Sequence, residues 1–100
     1  MANYFVTRHS GAMLWASRQD LEIHHQVDHL DINQIQSGDQ VFGTLPVNLV
    51  EEVCTRNARY FHLSLVVPEH LRMIELSADQ MDALGAKFEE YIVNRPERSK

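Results

Sequence analysis

Short runs of β-forming residues alternate with segments of helical period along this chain, and that alternation constrains its fold more than any other feature. Tyr4-Phe5-Val6 is apolar and β-prone, so residues 3–8 are expected to form a strand. Residues 11–19 follow as a short helix, with Ser10 placed to cap it. Leu21, Ile23, His25, Val27 and His29 alternate through Leu21–Leu30, as in a strand at a sheet edge. A polar stretch with the turn Ser37-Gly38-Asp39 leads to a third strand, Val41–Leu45. Pro46 marks a helix start, and Leu49, Val50, Val53 and Cys54 keep helical spacing to about Asn57. Arg59–Val67 is the fourth expected strand, ended by Pro68. Ser77-Ala78-Asp79-Gln80 has the pattern of a capping box, and Met81, Leu84, Phe88 and Ile92 predict a final helix behind it. Strands interleaved with helices specify an α/β fold, a mostly parallel sheet flanked by helices.

With 100 residues the chain has room for one domain, expected over residues 1–95, with a disordered polar tail at 96–100. Its net charge of −5 argues against a general nucleic-acid coat, so no long nucleic acid is expected as a partner. A small anion in a focused pocket remains compatible with that charge. The single cysteine, Cys54, rules out an internal disulfide and reads as a buried packing residue. No stretch approaches the ~20 apolar residues of a membrane span, and no charged leader precedes an apolar run. These features predict a soluble, unprocessed protein of a reducing cytoplasm.

In parallel α/β sheets, ligands sit beyond the carboxyl ends of the strands. That rule places the Thr7-Arg8-His9-Ser10-Gly11 turn and the Gly43-Thr44-Leu45-Pro46-Val47-Asn48 turn at one edge, with the Asp28-His29 end and the Ser64–His70 region able to join them. A helix N-terminus facing a polar turn is an anion site. Arg8 adds a planar cation suited to phosphate, and His9 a group that moves protons near neutral pH. The turn matches neither GxGxxG nor GxxxxGK[ST], so its phosphate signal is weak by itself. Each residue also has a plainer reading. Arg8 pairs with a surface carboxylate, His9 is only a turn residue, and Ser10 is only a cap. Gly43 and Pro46 are backbone devices, and Asn48 caps the second helix with Glu51 three residues on.

His24, His25 and His29 invite a metal reading. On a strand, however, His25 and His29 stand about 13 Å apart, too far to share one ion. No metal site and no cofactor are expected. His62, between Phe61 and Leu63, reads as a satisfied, partly buried histidine, and His70 lies in a loop. Trp15, Tyr4 and Tyr60 read as packing residues.

Several blocks together carry a family resemblance: Tyr4-Phe5-Val6-Thr7-Arg8-His9-Ser10-Gly11-Ala12, Gly38-Asp39 before Val41, Gly43-Thr44-Leu45-Pro46-Val47-Asn48-Leu49, Arg59-Tyr60-Phe61-His62-Leu63-Ser64-Leu65 and Glu75-Leu76-Ser77-Ala78-Asp79. In order and spacing they resemble the Csx-sixteen family, small accessory proteins of type III CRISPR systems. The resemblance runs from about Asn3 to the last helix. It implies a Rossmann-like, CARF-related fold and a homodimer. It also implies a ring nuclease that cleaves the cyclic oligoadenylate messenger, above all cyclic tetra-adenylate, and so switches the antiviral signal off.

Such cleavage needs no protein nucleophile, because the ribose 2′-OH attacks its own 3′ phosphate when held in line. The expected catalytic set is Arg8 for phosphate, His9 for proton transfer, and Ser10. Thr7, Gly11, Gly43, Thr44, Leu45, Pro46 and Asn48 are the expected ligand contacts. Two rivals stay open on the sequence: a protein that binds the messenger without cutting it, and a protein-interaction subunit with no nucleotide at all.

Overall fold

The computed structural model describes residues 1–72 and 74–96. Five strands, β1 (Asn3–Val6), β2 (His25–Val27), β3 (Gln40–Gly43), β4 (Arg59–Ser64) and β5 (Lys87–Tyr91), form one sheet in the order β2-β1-β3-β4-β5. The first four run parallel, and β5 pairs antiparallel to β4. Three helices, α1 (Ser10–Ser17), α2 (Val47–Thr55) and α3 (Ala78–Ala83), complete a Rossmann-like α/β fold, with short 3₁₀ turns at Ile32–Gln34 and Glu69–Leu71.

Alternation along the strands builds two cores. Phe5, Phe42 and Leu63 face α1 and α3 and pack with Trp15, Ala16, Ala78 and Met81. Val41 and Tyr60 face the other way, onto Val50 and Val53 of α2. Aromatic rings dominate the first core. Phe42 stacks on Phe61 at 4.8 Å, while Phe88 meets Phe5, Phe42 and Trp15 edge-on. Burying each such side chain contributes roughly 1.5–3 kcal/mol. The Trp15 indole N–H is buried there without a partner among the described residues, which costs about 1–3 kcal/mol of that gain. Cys54 is half-buried beside the second core.

Two segments are pinned by side chains. The buried Asp39 carboxylate accepts from the backbone N–H of Ala2 and of Gln36, both at 2.9 Å, tying the chain start to the loop before β3. The capping box at the start of α3 forms as expected, with Ser77 and Gln80 each accepting from the other's backbone N–H.

The final helix is the main correction. It stops at Ala83, and Phe88 belongs to an edge strand. Gly85 takes φ +75 just past the helix, while its N–H bonds to Asp82 O and the Ala86 N–H bonds to Met81 O. This is a glycine-terminated Schellman ending. The spacing of four between Leu84, Phe88 and Ile92 places residues on one face of a strand as well as of a helix, so periodicity alone was ambiguous. α2 ends the same way on Asn57 at φ 61, with Ala58 N–H bonding to Val53 O.

Other boundaries shift by smaller amounts. Strand two shrinks to His25–Val27 but does lie at the sheet edge. Strand four ends at Ser64, before Leu65–Val67. His9, not Ser10, is the N-cap of α1, and Ser10 is its first helical residue. Pro46 is the N-cap of α2, so the alternative cap by Asn48 does not form. Of the tail at 96–100, residues 97–100 lie outside the described residues.

Candidate functional site

The strand order reverses between β1 and β3, and their connections leave the sheet toward opposite faces: α1 follows β1 on one side and α2 follows β3 on the other. The carboxyl ends of such a strand pair open a crevice, the usual ligand position in doubly wound sheets. A cavity of about 180 Å³ lies there. Val6, Thr7 and His9 of the β1–α1 turn line it together with Gly43 and Thr44 of the β3–α2 turn. Its apolar wall is made by Phe5, Leu63, Leu65 and Met81, and Ile74, Glu75 and Leu76 close the remaining side.

The β1–α1 turn is held from several directions. Thr7 N–H bonds to Val27 O at 2.9 Å, and the Gln26 side-chain amide donates to Thr7 O. Thr7 Oγ1 accepts from His9 N–H at 3.2 Å. The N-cap His9 makes no side-chain cap bond, so its imidazole is not engaged with the first amides of α1. His9 Nδ1 lies 3.7 Å from Glu75 Oε1, an ion-pair distance that is longer than a hydrogen bond. Glu75 is the site residue that sequence reasoning missed. It sits two residues before the α3 cap, and only the packing of α3 beside α1 brings it to His9.

Gly11 and Gly43 are both required by close backbone approach. A Cβ on Gly11 would stand 2.1 Å from Leu76 O. Gly43 has φ +151, and a Cβ there would lie 2.8 Å from Val6 O. Gly11 therefore lets α1 approach the segment entering α3, and Gly43 lets β3 turn against β1.

The expected site residues divide among several surfaces. Thr7, His9, Gly43 and Thr44 share the cavity. Arg8 and Ser10 lie in an adjacent groove with Gln26 and Asp28, and His9 lines both. Arg8 is exposed and makes no ion pair among the described residues. Leu45 faces a third hollow on the α2 side with Tyr60 and His62. Pro46 and Asn48 are exposed at the start of α2. Of the two regions expected to join the site, Asp28 enters the Arg8 groove and Leu65 the cavity, while His70 lies exposed in the Glu69–Leu71 turn.

Two further histidines are structurally engaged. His24 Nδ1 accepts from Asn3 N–H at 2.9 Å, and His25 stacks on Tyr4 at 4.8 Å. Among the described residues no three His, Cys, Asp or Glu side chains converge to hold a metal ion.

Residues 4–94 match the model of a family described as "Putative CRISPR-associated protein (Cas_VVA1548)". The chain belongs to this CRISPR-associated family. No curated protein and no solved structure gives a match. In this CRISPR-associated chain the matched span includes both turns of the β1/β3 crevice and Glu75. No helix among the described residues is long and apolar enough to cross a membrane.

Proposed function

We propose that this CRISPR-associated protein binds a cyclic oligoadenylate, cyclic tetra-adenylate first among them, and cleaves it without a metal, ending the signal that the ring carries. The observation supporting this reading is the meeting of His9 and Thr7 with Gly43 and Thr44 around one cavity at the β1/β3 crevice. The groove holding Arg8 adjoins that cavity through His9. A volume of about 180 Å³ lies below the ~300–1,000 Å³ of typical ligand pockets, so one protomer has room for a fragment of the ligand and not for a four-nucleotide ring. A two-fold homodimer of this CARF-related fold, presenting the same residues to each half of a symmetric ring, meets that need.

The chemistry balances without water. The 2′ oxygen attacks the neighbouring phosphorus, the bond from phosphorus to the 5′ oxygen breaks, and a 2′,3′-cyclic phosphate and a 5′-OH result. His9 takes the 2′ proton or returns one to the leaving oxygen, a contribution of about 10²–10⁴-fold. Arg8 neutralises the phosphate, and Ser10 and the first amides of α1 add donors. Thr44 and Asn48 are assigned to ribose or the adenine edge.

The test is incubation with cyclic tetra-adenylate in EDTA, with products resolved by chromatography and mass spectrometry. Linear di-adenylate ending in a cyclic 2′,3′-phosphate is the expected product. An intact ring recovered in a tight complex would instead make the protein a sponge. An intact ring with no complex would return it to the interaction-subunit reading.

A further inference from the structure

Tyr60 reaches the β3–α2 turn from the far side of the sheet. Its Oη lies 2.9 Å from Leu45 N, 3.0 Å from Gly43 O and 2.7 Å from His62 Nδ1. A phenol has one hydrogen and accepts with its oxygen lone pairs. Leu45 N–H can only donate to it, and Gly43 O can only accept from it. The hydroxyl hydrogen therefore belongs to Gly43 O, and His62 Nδ1 must be the protonated nitrogen that donates to Tyr60 Oη. All three contacts are then satisfied at once, on a residue only 1 % exposed. Gly43 and Thr44 line the crevice while Gly43 O and Leu45 N are clasped from behind.

We infer that Tyr60 and His62 are positioning residues for the candidate site: His62 orients the Tyr60 hydroxyl, and that hydroxyl sets the Gly43–Leu45 turn against which the ligand rests. The inference rests on the proposed function only in taking this turn as a ligand contact. Neither side chain touches the cavity. Both act through the backbone of a turn whose glycine already holds a conformation unfavourable to other residues. Register pairs Gly43 with His62 on neighbouring strands, so the clasp spans the same β3–β4 step that carries the turn. A bound ligand pushing on Thr44 meets a turn fixed at both ends, as preorganised sites require.

The experiment uses the full chain with Tyr60→Phe, His62→Leu and His62→Asn. Asparagine can offer an amide N–H near the place of Nδ1. Three readouts are taken: hydrogen exchange of the Leu45 amide against that of Phe42 and Phe61, the ¹⁵N signature of the His62 ring, and cleavage of cyclic tetra-adenylate. The unmodified protein should show His62 protonated at Nδ1. Tyr60→Phe should speed Leu45 exchange about tenfold, the equivalent of one net hydrogen bond, while the sheet amides stay unchanged. It should also lower kcat/KM by about 10²-fold. His62→Leu should reproduce part of both effects, and His62→Asn should restore them.

A ring protonated at Nε2, or an unchanged Leu45 amide in Tyr60→Phe, would overturn the clasp. Faster Leu45 exchange with unaltered cleavage would overturn its role in positioning. If the unmodified protein leaves the ring intact, the nuclease reading fails by itself, and the exchange and ring signatures still decide the clasp. Should Tyr60→Phe not fold, the two His62 variants carry the same comparison.

Discussion

His9 Nδ1 stands 3.7 Å from Glu75 Oε1 at the mouth of the β1/β3 cavity, joining the first turn of the chain to the segment entering the last helix. A carboxylate beside an imidazole orients the ring. His9→Ala should lower the cleavage rate by about 10²–10⁴-fold while leaving ring affinity within a few-fold. Glu75→Gln should cause a smaller loss in the same direction. Single-turnover cleavage and labelled-ring titration, run on both variants, separate the two effects. Wild-type cleavage by His9→Ala would remove the imidazole from the mechanism.

Arg8 lies outside the cavity, in the groove with Asp28, and in the proposed mechanism it holds a phosphate at the cavity's edge. A charge-assisted hydrogen bond to phosphate contributes about 1.5–3 kcal/mol, so Arg8→Ala should weaken binding by roughly 10- to 100-fold. Arg8→Lys should recover part of this, because it keeps the charge and loses the planar fork. Titrations at two salt concentrations check the assignment, since the alanine variant should also depend less on salt. Equal affinity and equal salt dependence would make Arg8 an ordinary surface residue.

Gly11 and Gly85 make a matched pair for stability. A Cβ at Gly11 meets Leu76 O at 2.1 Å, whereas nothing lies within 4 Å of one at Gly85, where only the φ of +75 opposes it. Gly85→Ala should cost about 1–2 kcal/mol from backbone strain alone. Gly11→Ala forces backbone apart between α1 and the start of α3 and should cost more, at the upper end of about 1–3 kcal/mol or beyond. Urea unfolding of both variants gives the comparison, and a smaller cost at Gly11 would contradict the close approach.

At acid pH the Arg59–Glu90 pair should matter. Arg59 Nε and Nη2 donate to the two Glu90 carboxylate oxygens at 2.7 and 2.8 Å, and this bonding holds the Glu90 carboxyl below its usual range. A carboxyl lowered on folding stabilises the folded state above its unfolded value. That contribution is lost as pH falls below about 4. The pair is exposed, so its effect is small and weakens in salt. Arg59→Gln should flatten the acid limb of the unfolding midpoint, measured between pH 7 and pH 3. An unchanged limb would show that Glu90 gains nothing from the pair.

Alkaline pH should act through Tyr60. Burial pushes its phenol above the ordinary value, outweighing the opposing hydrogen bond from Leu45. A group raised on folding stabilises the folded state fully below its unfolded value, near 10. The contribution disappears as pH rises through the folded value. Tyr60→Phe should therefore lose part of the stability decline above pH 10, read from unfolding midpoints alongside phenolate absorbance. An identical decline in both proteins would show that Tyr60 is not its source.

The sequence by itself determined the α/β class, the order of its first six elements and the Ser77–Gln80 cap, because these depend on local periodicity, propensity and hydrogen bonds between near neighbours. The Thr7–Gly11 and Gly43–Asn48 turns followed from strand polarity, since parallel strands must end on one side. Tertiary structure decided the rest. Phe88 became a strand residue because Gly85 ends α3 and the ring fills a gap between Phe5, Phe42 and Trp15. Arg8 parted from the cavity that His9 and Thr44 share because successive residues of a turn point different ways. Glu75 reached His9, and Tyr60 reached Gly43 and Leu45, through contacts between distant segments. Such contacts leave no periodic trace in a single chain, since they depend on how the helices and strands pack and not on the local spacing of residues.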